Sequence, residues 1–187
     1  MTPTLDQKRI AILVASGFEQ VELTEPRQAL LDAGAKVDIV SPEEGSVRGW
    51  NHYDKGDTFA VDITLNAADP SQYDALLLPG GTVNPDQLRV NDAAIAFIKA
   101  FFAAEKPVAA ICHGPWTLVE AGAVQGRKVT SWPSLQTDLK NAGGHWVDQE
   151  VVVDNGLITS RNPDDIPAFN HCLIDAIAQR DSQLQTA

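Results

Sequence analysis

The sequence predicts an α/β fold in which a mostly parallel sheet is covered by helices on both faces. Three observations predict it. Short apolar runs of strand length recur along the chain, among them RIAILVAS, YDALLLP and KPVAAIC. Segments with helical spacing of apolar residues separate them. Glycine-bearing turns, at Gly17, Pro79-Gly80-Gly81 and Cys112-His113-Gly114, follow three of these runs directly. In open parallel sheets ligands bind beyond the carboxyl ends of the strands, which is where all three turns lie.

The elements read in order as follows. Arg9 to Ser16 is a buried strand, and the Gly17 turn leads into a helix, VELTEPRQALLDAG, closed at Gly34. KVDIVSP is a second strand stopped by Pro42. Glu43 to Phe59 is polar and rich in Gly and Asp and reads mostly as loop, with FAVDITL (Phe59 to Leu65) as an extended piece. YDALLLPGG is the third buried strand. Pro85 to Ala104 reads as a helix or helix pair, KPVAAIC as a fourth strand and PWTLVEAGAV as the next helix. RKVTSW then reads as a strand and LQTDLKNAGG as a helix. EVVVDNGLITS is a hairpin turning at Asp154-Asn155-Gly156. Asn162-Pro163-Asp164-Asp165 precedes a last helix, IPAFNHCLIDAIAQ, and the tail at 181–187 has nothing to bury and is expected to fray. No repeat or linker divides the chain, so residues 1–187 are expected to form one domain.

Bulk properties narrow the function. The chain has 187 residues and a net charge of 14 − 25 = −11. So negative a surface argues against nucleic acid or an anionic membrane as partner. No apolar run reaches the length of a membrane span, and the first one is too short for a signal peptide. Two cysteines, Cys112 and Cys172, make no disulfide framework and suit a reducing, cytoplasmic compartment. No metal-ligand spacing occurs, and no cofactor is expected.

Cys112 carries the chemistry. A strand-to-helix turn holds a nucleophile on a strained elbow above the sheet, and a helix start beneath it lowers a thiol pKa. Backbone N–H groups at that turn, including that of His113, and donors from Gly80 and Gly81 are candidates to hold an oxyanion. His113 is the candidate general acid or base and needs a carboxylate to orient it. Glu19 in SGFEQVEL and Asp86 in NPDQLR are both available, each equally readable as an ordinary helix-start charge. Cys172 lies mid-helix among Phe169, Leu173 and Ile177 and reads as core. The Trp50-Asn51-His52-Tyr53 segment reads as a surface loop that can wall a pocket. Arg161 in SRNPDD reads first as an ion-pair residue and second as a substrate contact.

Taken together, LLLPGG, AICHGPWTL, GRKVTSWPS, DLKNAGG and DQEVVVDNGLITSRNPDDIPAF resemble the DJ/PfpI superfamily, specifically its PfpI-like branch, in the same order and over nearly the whole chain. The resemblance implies a flavodoxin-like three-layer sandwich, with the hairpin in its C-terminal third, that forms homodimers or larger assemblies. It implies Cys112 as nucleophile and Glu19 as the carboxyl touching its thiol. It implies His113 as catalytic histidine and Asp86 as the acid that reaches His113 from a neighbouring subunit. Trp132 stands where other branches carry a histidine, so mechanisms needing that residue do not transfer. Glutamine amidotransferases share the cysteine elbow but need a His-x-Glu pair, and none of the histidines at 52, 113, 145 and 171 begins one.

Three functions fit this site. One is a cofactor-independent, stress-protective enzyme acting on reactive aldehydes such as methylglyoxal, of glyoxalase or deglycase type, in which Cys112 forms a hemithioacetal and Glu19 moves a proton. Another is an intracellular cysteine peptidase with a Cys112–His113–Asp86 site. The last is a non-catalytic sensor or chaperone that works through oxidation of Cys112.

Overall fold

The computed structural model describes residues 4–184. Strand β1 (Arg9–Leu13) is followed by a short β2 (Phe18–Glu19) and helix α1 (Gln20–Asp32). Then come β3 (Lys36–Ser41), β4 (Ser46–Asn51), β5 (Asp54–Ala60) and β6 (Ile63–Thr64). The middle of the chain contributes β7 (Ala75–Leu78), α2 (Val83–Arg89), α3 (Asp92–Ala103), β8 (Val108–Ile111) and α4 (Pro115–Glu120). It closes with β9 (Lys128–Val129), α5 (Gln136–Asn141), β10 (His145–Trp146), β11 (Val151–Asp154), β12 (Leu157–Ser160) and α6 (Ile166–Leu184).

Seven strands form the central sheet in the order β11-β12-β8-β7-β1-β3-β6. All neighbours pair parallel except β11, which returns antiparallel on β12 at the edge. The period of two along β1 explains the layering. Ile10 and Ile12 face a core built with Leu23 and Leu30 of α1 and Phe169, Leu173 and Ile177 of α6. Ala11 and Leu13 face the opposite core, with Leu88 of α2, Ile98 and Phe101 of α3 and Leu118 of α4. This is the α/β three-layer arrangement that the buried runs predict. Cys172 packs half-buried against the first of these cores.

Some elements differ from the sequence reading. Residues 43–59 hold two antiparallel strands, β4 and β5, where a loop is expected. Their side chains alternate weakly and are mostly exposed, so no apolar period marks them. FAVDITL is divided between β5 and β6 instead of forming one extended piece. Of the two readings of Pro85 to Ala104, the pair of helices is the one formed, with Asn91 capping the second through its side chain. RKVTSW is strand only at β9, which pairs with β10 outside the central sheet. The backbone stays helical to Leu184, so residues 181–184 extend α6 where fraying is expected; residues 185–187 of that tail lie outside the described residues. No described helix is long and apolar enough to cross a membrane.

Candidate active site

Strands β8, β7 and β1 are adjacent in the middle of the sheet, so their carboxyl-end turns meet. Buried Asn84, from α2, ties two of these turns together. Its Oδ1 accepts from the Ala15 N–H at 2.8 Å, while its Nδ2 donates to the carbonyls of Pro79 and Gly80 at 2.9 and 3.0 Å. Gly80 has no room for a side chain, since a Cβ there would lie 2.7 Å from Cys112 Cβ and 2.6 Å from Glu22 Oε2.

Cys112 sits on the elbow between β8 and α4 with φ at +61°, a left-handed conformation that non-glycine residues seldom adopt. Its backbone is held on both sides. The Cys112 N–H donates to the Ser160 carbonyl at 3.1 Å, and its carbonyl accepts from the Trp132 N–H at 2.9 Å. Cys112 is 7% exposed and lines a cavity of about 550 Å³. A thiol on an elbow above a helix start is expected to have a lowered pKa. Instead burial pushes it up and a charged Glu22 pushes it further, while the backbone N–H groups of Gly81 and His113 pull it back.

The carboxyl against this thiol is Glu22, not Glu19. Glu22 lies in the first turn of α1 on its buried face and is 0% exposed. Its Oε2 accepts from the Gly80 N–H at 2.8 Å, and its Oε1 is buried without a hydrogen-bond acceptor contact to any N–H or O–H among the described residues. Burial raises its pKa from 4.5 to about 8, Gly80 and Cys112 moderate the rise, and the charge of Glu19 adds to it. A protonated Glu22 removes the repulsion on Cys112 and presents a hydrogen-bond donor to the sulfur instead. Sequence reasoning missed Glu22, although its period marks it: positions 22, 23, 26 and 30 form the buried stripe of α1.

The other expected residues fall in different places. The Gly80 N–H is engaged by Glu22 and is not free for an oxyanion. Gly81 and His113 direct their N–H groups at the sulfur. His113 Nδ1 lies 3.2 Å from Cys112 Sγ, and Nε2 lies 3.5 Å from Ser134 Oγ. The imidazole stacks on Trp132, with centroids 5.8 Å apart, and meets the edge of Trp116 at 5.6 Å. Burial lowers its pKa and favours the neutral ring. Among the described residues no carboxylate of the same chain hydrogen-bonds to it. Asp86 is exposed in the first turn of α2. Glu19 lines the cavity but is held by the His52 N–H, at 3.2 and 3.4 Å from its two oxygens. Trp50, His52 and Tyr53, at the tip of the β4–β5 hairpin, form the opposite wall. Arg161 makes paired bonds to Asp165 and a bond to Asp148, as an ion-pair residue does.

Residues 8–176 match the DJ-1/PfpI family. The chain belongs to that family. It is 46% identical over 165 residues to general stress protein 18 of Bacillus subtilis, which covers 87% of this chain and 94% of the relative. Over 161 residues it is 42% identical to deglycase PfpI of Pyrococcus furiosus, covering 86% of this chain and 94% of the relative. It is also 42% identical over 163 residues to the protein named putative cysteine protease YraA of Bacillus subtilis, with 87% and 94% covered. Among solved structures, a two-domain protein of Anabaena variabilis with DJ-1/ThiJ/PfpI-like and ferritin-like domains superposes with a TM-score of 0.85 at 32% identity. That match takes in 90% of this chain and 47% of the larger one. The likeness agrees with the three-layer sandwich and with the resemblance carried by LLLPGG and AICHGP.

Proposed function

We propose that this family member is a stress-protective enzyme that uses the Cys112 thiol on small reactive aldehydes such as methylglyoxal, in the manner of a glyoxalase or deglycase. The observation that carries the reading is the buried Glu22 carboxyl against the thiol, beneath two backbone N–H groups. With a pKa of about 8, Glu22 is poised to take and return protons near neutral pH.

The steps balance without an oxidant or a further group. In its ionised form, which a pKa of about 8 keeps accessible near neutral pH, Glu22 takes the thiol proton, and the thiolate adds to the aldehyde carbon. As the sulfur loses its negative charge on addition, the N–H groups of Gly81 and His113 become available to the carbonyl oxygen, which takes that proton and gives a hemithioacetal. Glu22, again a carboxylate, removes the proton from the former aldehyde carbon and delivers it to the neighbouring carbonyl carbon, while the hemithioacetal hydroxyl proton passes to the neighbouring carbonyl oxygen, so that one C=O forms as the other becomes a hydroxyl. The product is a thioester of a 2-hydroxy acid. Water, deprotonated by neutral His113, cleaves it, releasing lactate and restoring the thiol. Reversal of early amine adducts would begin from the same attack.

The 3.2 Å contact between His113 Nδ1 and Cys112 Sγ favours a second reading, a cysteine peptidase in which His113 protonates the leaving amine and Asp86 orients it from a neighbouring copy. Assembly into homodimers or larger oligomers in the cytoplasm belongs to both readings. The deciding experiment is lactate release from methylglyoxal in metal-free buffer, with a free-thiol control. Wild type is expected to turn over and Cys112→Ala to lose turnover. No turnover by folded, reduced wild type sinks the aldehyde reading for this substrate.

A further inference from the structure

Glu19 is left without a place in the proton path, because Glu22 occupies the position beside the thiol. Its own placement is nevertheless well defined. Strand β2 pairs with β4, which sets Glu19 opposite Trp50. The hairpin tip then turns through His52, with φ at +57°, so that the His52 N–H reaches both carboxylate oxygens. The Glu19 side chain is 13% exposed and lines the same cavity as Cys112. Its charge is close enough to act on Glu22. The remaining wall is largely apolar, with Trp50, Tyr53, Val83 and Trp132, and no Lys or Arg is among the described residues that line it. His52 Nδ1, 3.8 Å from Glu19 Oε1, belongs to a side chain that is mostly in solvent.

We propose that Glu19 is a specificity-determining residue that makes the cavity select by charge, admitting neutral and cationic electrophiles to Cys112 and turning anions away. This rests on the reading of Cys112 as the reacting thiol. In low-dielectric surroundings one uncompensated carboxylate acts on any charge brought to the thiol. The favoured class is aldehydes and aldehyde adducts that carry an ammonium or guanidinium group near the reacting carbon. The disfavoured class is 2-oxo acids such as glyoxylate. The same repulsion helps expel the hydroxy-acid anion formed in the cavity, so the residue biases both entry and exit.

The test labels the folded protein with three methanethiosulfonates that differ in charge: methyl (neutral), trimethylammonioethyl (cationic) and sulfonatoethyl (anionic). Mass spectrometry follows the rates at Cys112 and Cys172 separately. Cys172 reports the effect of the overall negative charge, since it lies outside the cavity. In wild type the cation-to-anion rate ratio at Cys112 is expected to exceed that at Cys172. Glu19→Gln is expected to lower the Cys112 ratio about 20-fold, as for unit charges roughly 10 Å apart in a medium of effective dielectric about 40, counted once as attraction of the cation and once as repulsion of the anion. The Cys172 ratio stays put, which also shows that the fold is retained. Glu19→Asp, keeping the charge, is expected to retain most of the selectivity. A Cys112 ratio unchanged in Glu19→Gln, or lowered equally in Glu19→Asp, overturns the proposal. So does a Cys112 that reacts with none of the three reagents, which overturns the thiol reading as well. Charge-selective labelling without methylglyoxal turnover would sink the aldehyde function and leave this proposal standing.

Discussion

At the residue scale the site is a coupled acid and thiol, both buried, with an imidazole at the sulfur. Removing the proton carrier while keeping its shape is the sharpest probe. Glu22→Gln is expected to lower methylglyoxal turnover by about 10²-fold or more, the usual scale for loss of general acid–base catalysis. Glu19→Gln is expected to cost far less with this neutral substrate, and steady-state lactate release compares the two. The same carboxyl makes stability depend on pH. Glu22 has a folded pKa of about 8 against 4.5 unfolded, so between those values the folded protein holds a proton that the unfolded chain has released. Its contribution is fully present below pH 4.5 and is lost as pH rises to about 8. Thermal melts across that window are expected to slope downward in wild type and less so in Glu22→Gln. Equal slopes would count against a buried, protonated Glu22. His113 separates the two functional readings: His113→Ala is expected to abolish any peptidase activity and only to reduce aldehyde turnover. Equal losses in both assays would argue against that division.

At the element scale, three strand-end turns must keep register to within a few tenths of an ångström for the Gly81 and His113 N–H groups to reach the sulfur. Asn84 supplies much of that register through three buried hydrogen bonds to the ends of β1 and β7. Asn84→Ala leaves those backbone groups unsatisfied and is expected to destabilise the fold by on the order of 3 kcal/mol, measurable by urea denaturation. It should also lower turnover at temperatures where the variant remains folded. The apolar runs of β1, β7 and β8 are legible because strands buried on both faces must be apolar throughout. The β4–β5 hairpin is not legible, because its residues are polar and its partners, β2 and the cavity rim, come from distant sequence. Glu19 and Glu22 stand three residues apart, and only the turn from β2 into α1 decides which one faces the thiol.

At the scale of the whole molecule, the cavity opens onto a rim of exposed aromatic and apolar side chains, with Tyr53 at 94% and Trp132 at 39%. Asp86, on the exposed face of α2, makes no bond to His113 within the chain. If Asp86 completes the site of another copy, mixing Asp86→Ala with Cys112→Ala chains is expected to restore part of the activity that each homo-oligomer lacks. Such mixed assemblies contain sites that combine an intact Cys112 with an intact neighbouring Asp86. A mixture as inactive as its components would argue against Asp86 acting across a subunit interface.

The order of the buried central strands and the helices between them, the cysteine at a strand end and the glycine turns beside it were determined by the sequence alone. Each follows from local period and turn chemistry, which a chain carries in adjacent residues. The partner of the thiol, the engagement of the Gly80 N–H, the raised pKa values and the hairpin wall were decided by the tertiary structure. They depend on which buried faces meet and how much water they exclude, and residues far apart in the chain establish both.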